Sequence, residues 1–211
     1  RILMVTKIPH TMTTGVVGTT DLCSQTPTGK AGGNAAKVVQ LDSNGEVPPA
    51  LLSPCVDQHR ITVDQAITAS SADIDSTWER VDTGGQGTTT TLQVSQTSGK
   101  FVFPVTGIYL VSLHCQIART STNIDLITAK VIHSTNAFVD DSTNTTLAQT
   151  ILGVTGSLPK EVAALSTVVN VTSTLNQRVK FTIEADNTGS ELDGDSTFNS
   201  TYATFLRIAG T

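Results

Sequence analysis

The sequence predicts an all-β fold, a sandwich or jelly roll, carrying an extended and mostly irregular N-terminal arm. Three observations carry that expectation. Hydrophobic residues make up 38% of the 211 positions, charged ones 15% and aromatic ones 4%. The remaining polarity comes largely from Thr and Ser, and the β-branch of Thr suits a pleated surface. Several runs alternate apolar and polar residues with period two, and turn signals separate them with no convincing amphipathic helix between.

Residues 1–57 form the expected arm. They hold much punctuation, as at Thr13-Thr14-Gly15, Pro27-Thr28-Gly29 and Val47-Pro48-Pro49. Such sequence makes turns and extended segments rather than a packed core. One short strand, Val38 to Leu41, is followed by a tight turn at Asn44-Gly45. From residue 58 to 211 strands follow one another in a second region. Thr88 to Gln96 is a Thr-rich run with the look of an exposed strand. Gly99 to Ser112 reads as a short strand, a Pro104/Gly107 corner and the start of a long strand. On that long strand Tyr109, Val111, Leu113, Cys115 and Ile117 alternate with Ser112, His114 and Gln116. Ile127, Ala129 and Val131 alternate with Thr128 and Lys130, and a further β-prone run follows Pro159-Lys160 through Val168, Val169 and Val171. The cleanest alternation is Val179, Phe181, Ile183 and Ala185 against Lys180, Thr182 and Glu184, broken at Asn187-Thr188-Gly189. A closing strand runs from Tyr202 to Ile208.

Composition narrows the function. A net charge of −5 and scattered Lys and Arg argue against nucleic acid as a partner, because phosphate binding needs a basic patch. Three cysteines, Cys23, Cys55 and Cys115, lie at wide spacing. They make neither a disulfide framework nor a zinc site, although a Cys23–Cys55 bridge stays open. No apolar run approaches the ~18 residues that a bilayer span needs, so membrane insertion is not expected. The absence of Met at position 1 suggests a processed or truncated chain.

Chemistry has little footing. Gly29-Lys30 lacks the upstream glycine of a phosphate loop, and neither a nucleophile elbow nor a His-Glu-x-x-His site is present. His10, His59, His114 and His133 are far apart and read as surface or strand residues. No catalytic residue and no cofactor is expected, and the chain does not read as an enzyme. Asp186, Glu191, Asp193 and Asp195 cluster in one segment. The ordinary reading is a solvated acidic turn; the other is a weak calcium site on Asp186, Asp193 and Asp195, although the order differs from an EF-hand loop.

Two segments carry resemblances. Gly99-Lys100-Phe101-Val102-Phe103-Pro104-Val105-Thr106-Gly107-Ile108-Tyr109, then Leu175 to Phe181, then Ser200 to Leu206, resemble in order the corner, a later strand start and the closing strand of the complement globular-head and tumour-necrosis-factor-like jelly-roll family. Gln177-Arg178 stands where that family usually has Gly-Asp, and Ala203-Thr204 where it often has Ser-Gly. The likeness runs from Thr77 to the end. It implies a ten-strand jelly roll, a homotrimer about a threefold axis, and recognition of another protein or a glycan. Tyr109, Tyr202 and Phe205 become candidates for the threefold contact, with internal core as the alternative. Within the arm, Asn34 to Pro48 is similar to connectors that precede trimeric knobs in bacteriophage fibres. Together the two resemblances imply a virion protein assembled in the host cytoplasm, a fibre, spike or capsid-decoration protein. Its arm would dock on other virion proteins and its knob would meet a host surface glycan or protein. A secreted cellular recognition protein of the same jelly-roll type is the alternative.

Overall fold

The structure is a computed structural model that describes residues 55–75, 77–81, 92–119, 125–154 and 160–210. The arm, including the expected strand at Val38–Leu41 and the connector-like Asn34–Pro48, lies outside the described residues. The strands are β1 (Val56–Ile61), β2 (Gln65–Ile67), β3 (Ala72–Asp73), β4 (Trp78–Arg80), β5 (Ser95–Thr97), β6 (Lys100–Val102), β7 (Gly107–Arg119) and β8 (Asp125–Ser134). A 3-10 turn at Asp141–Thr143 then leads to β9 (Thr145–Val154), β10 (Lys160–Val171), β11 (Arg178–Ala185), β12 (Ser190–Leu192) and β13 (Tyr202–Ala209).

Every strand pair is antiparallel, and the strands form two sheets. The first is centred on β7. β10 pairs with it from Val171↔Gly107 to Lys160↔Ala118. β13 and β12 share the opposite edge end to end, with β1 and β4 beyond β13 and β2 beyond β12. The second sheet runs β5-β6-β11-β8-β9, with β3 beside β6 on the same edge of β11. This is the all-β jelly-roll sandwich expected from the alternation, closed by the C-terminal strand.

The alternation decides what fills the space between the sheets. Tyr109, Val111, Leu113, Cys115 and Ile117 of β7 face Val179, Phe181, Ile183 and Ala185 of β11, all buried. Phe101, Phe103, Phe181, Phe205, Trp78 and Tyr109 form an aromatic centre, with ring centroids 4.9 Å apart for Phe101–Phe205 and 4.7 Å for Phe103–Tyr109. Large tilted rings of this kind supply most of the buried apolar area in a sandwich core. The Pro/Gly corner is held from inside. Tyr109 donates its hydroxyl to the Val105 carbonyl at 2.8 Å, and Arg207 Nε donates to the Thr106 carbonyl at 3.1 Å. Gly107 has φ +152°, and a Cβ there would come within 2.5 Å of the Ala209 carbonyl oxygen. Only glycine fits that approach.

Three details differ from the sequence reading. β1 starts at Val56, so Val56 and Asp57 belong to the strand that opens the sandwich, ahead of the 57/58 division. The Thr88–Gln96 run is a strand only from Ser95, residues 82–91 lying outside the described part. β9 was not legible, because a register shift opposite Val131/Ile132 breaks its period-two pattern.

Candidate functional site

The first sheet's outer face is built in rows, because residues paired across antiparallel strands point the same way. Val168 of β10 pairs with Leu110 of β7, Leu110 with Leu206 of β13, and Leu206 with Val56 of β1. Four aliphatic side chains thus lie in one row across four strands. Val168 is 56% exposed and the other three are half-buried. The next row is Ser166, Ser112, Thr204 and Gln58, where Gln58 Nε2 donates to Thr204 Oγ1 at 3.1 Å. The third is Ala164, His114, Tyr202 and Arg60. There His114 and Tyr202 stack with centroids 4.9 Å apart and planes 23° apart. Rows two and three line a shallow hollow of about 440 Å³. Val162 and Ile208, about half exposed, extend the apolar surface on this sheet.

Of the three expected contact residues, Tyr109 and Phe205 are 0% exposed and packed in the chain's own core. Neither has area to offer a second chain. Tyr202 stays half-buried on the outer face, against His114. The residues that reasoning from sequence missed are Val56, Leu110, Val168 and Leu206. Their signal was present as the outward positions of alternating strands, which normally read as the solvent side.

The acidic cluster is not brought together as a cation site. Asp186 Oδ1 accepts from the Leu126 backbone N–H at 2.7 Å, and Asp193 Oδ2 accepts from Lys160 Nζ at 2.7 Å. Asp195 Oδ1 accepts from the backbone N–H groups of Phe198 and Thr197, which hold its carboxyl below the usual carboxylate range. Among the described residues no three His, Cys, Asp or Glu side chains converge as metal ligands. The calcium reading is therefore set aside, since each carboxylate already serves a backbone or lysine donor.

The polar side chains that do converge are buried and structural. Asp57, 0% exposed, accepts from Arg80 Nε at 3.1 Å and from the Val94 backbone N–H at 2.7 Å. His59 bonds the Val94 carbonyl through Nε2 at 3.0 Å, and its ring lies edge-on to Phe101. This is a clamp on the segment after residue 91, sealed from solvent. His133 is half-buried, and burial lowers its pKa. His10 and Cys23 lie outside the described residues. Cys55 and Cys115 are free thiols, pushed up to about 11 and about 12 mainly by burial. No described helix is long and apolar enough to cross a membrane.

No protein-family profile and no curated protein matches the chain. Solved structures do. Eiger TNF from S. frugiperda superposes with a TM-score of 0.52 at 14% identity, over 75% of this chain and 94% of that one. Murine APRIL at pH 5.0 gives 0.51 at 13% identity, over 74% of this chain and 100% of that one. At such identities the likeness is one of fold: the sandwich is a tumour-necrosis-factor-like jelly roll.

Proposed function

We propose that this chain is the knob of a homotrimeric, non-enzymatic virion protein, a fibre, spike or capsid-decoration protein that meets a host surface component. The observation that carries the trimer is the aliphatic row Val168–Leu110–Leu206–Val56, flanked by a polar row and the His114–Tyr202 stack. A flat sheet face with a contiguous apolar row is what association with further copies would cover. The fold likeness supports the same reading. The virion assignment rests on the connector-like segment Asn34–Pro48, through which the arm would join other virion proteins. A secreted cellular recognition protein is the second reading, favoured by the neighbours' sources, S. frugiperda and mouse.

Light scattering on a size-exclusion column tests the trimer. Three times 22.1 kDa, about 66 kDa, is the expected mass. A monomer of 22.1 kDa at micromolar concentration overturns it. Peptides of this chain in purified virus particles separate the virion reading from the secreted one, which expects them only in a cell's secretions.

A further inference from the structure

The second sheet's outer face has different chemistry from the first. Thr182 of β11 pairs with Asp73 of β3 on one side and Lys130 of β8 on the other. Lys180 lies on the same face, two residues along β11 from Thr182. The 3-10 turn adds Asp141, and Asn144 follows it. These six residues line a hollow of about 300 Å³, the lower end of ligand-pocket sizes and room for one sugar ring.

Its charges cancel in place. Lys180 Nζ lies 2.8 Å from Asp73 Oδ1, and Lys130 Nζ lies 2.7 Å from Glu184 Oε1. Asn144 Nδ2 donates to Asp141 Oδ1 at 2.6 Å. Two oxygens are left over. Thr182, only 7% exposed, has its Oγ1 buried without a hydrogen-bond partner, and so has Asn144 its Oδ1. Buried polar atoms are normally satisfied, so two orphans at one hollow point to something that completes them. Ile132 gives the wall its apolar patch.

We propose that this hollow binds one neutral pyranose residue of a glycan. The lining holds two ammoniums and two carboxylates, which favours neither a free anion nor a free cation. Donors and acceptors alternate around it, as vicinal hydroxyls require, because each hydroxyl both donates and accepts. The Ile132 side chain meets the C–H face of the ring. Binding at so shallow a site is weak, in the range of ~1 mM, and three knobs on one trimer would raise it by avidity. The proposal gives the knob of the preceding section its ligand class, and it rests on that reading only for the avidity.

The test is saturation-transfer NMR on the full chain with the methyl glycosides of glucose, galactose and mannose, to ~50 mM each, well above a millimolar Kd. Saturable transfer to at least one sugar is expected. Thr182→Val removes an unpartnered hydroxyl at constant shape, so the thermal midpoint holds while affinity falls about tenfold. Asn144→Ala, in an exposed turn, weakens binding in the same direction. No saturable transfer with any of the three sugars overturns the proposal, and so does unchanged affinity in Thr182→Val. The mass of the same sample separates the two claims. A trimer that binds no sugar removes the hollow alone, and a monomer that binds removes the trimer alone.

Discussion

Asp57 sits inside the sandwich with no exposed surface, at a position where the strand pattern calls for an apolar side chain. Its charge is tolerable because Arg80 and the Val94 N–H both reach it. Asp57→Ala leaves Arg80 and the Val94 N–H without their acceptor. The expected loss is about 3 kcal/mol or more in urea unfolding; a loss under ~1 kcal/mol would show that water replaces the carboxylate. Alkali acts on the same interior. Burial is the first cause that raises Tyr109 to about 12, Cys115 to about 12 and Cys55 to about 11. Their ordinary values are 10.0 for the phenol and 9.0 for the thiols. Between the ordinary and raised values the folded chain keeps protons that the unfolded chain has lost, so this contribution is whole below the ordinary values and falls as pH rises. The thermal midpoint is expected to drop from about pH 9 upward, and less steeply above pH 10 in Tyr109→Phe. A flat profile to pH 11 would contradict the burial of these groups.

At the scale of elements, β7 and β13 hold the sheet together. β13 covers one edge of β7 and the adjoining edge of β1, and it contributes Ala203 and Phe205 to the core. Deleting Ser200 to Thr211 removes the strand, bares both edges and takes away a central ring. The expected product is insoluble or shows no cooperative unfolding. A soluble truncated chain with a sharp thermal transition would refute this closure. Turn chemistry was equally readable. Ser98 and Gly99, both at positive φ, join β5 to β6 as a two-residue hairpin loop, and a Cβ on Gly99 would lie 2.5 Å from the Ile74 carbonyl oxygen. β9 escaped because one bulge is enough to swap which residues face inward.

At the scale of the whole sandwich, the two outer faces divide the work. One carries an aliphatic row, and the other a charge-balanced hollow floored by Thr182. Association through the first leaves the second free for a ligand. Leu110→Glu places a charge in the middle of the aliphatic row without touching the core. It is expected to reduce a 66 kDa species to 22.1 kDa while the circular-dichroism spectrum is retained. A trimer that persists in Leu110→Glu would move the interface elsewhere.

The sequence by itself determined the class of fold and its best strands. Period-two burial at Tyr109–Ile117 and Val179–Ala185 is a local property, written in consecutive residues. The Pro104/Gly107 corner was legible for the same reason, since Tyr109 reaches only four residues back to Val105. Tertiary structure alone decided what each face is for. Val56, Leu110, Val168 and Leu206 make one row only through the registers of three strand pairs. Tyr109 and Phe205 went inside because the two sheets close over them, leaving Tyr202 at the surface. Asp57 and His59 could occupy inward positions of β1 only because Arg80 and Val94, distant in the chain, arrive to satisfy them. Alternation tells which side chains share a face; which face meets a partner depends on registers and closures between strands that no local pattern records.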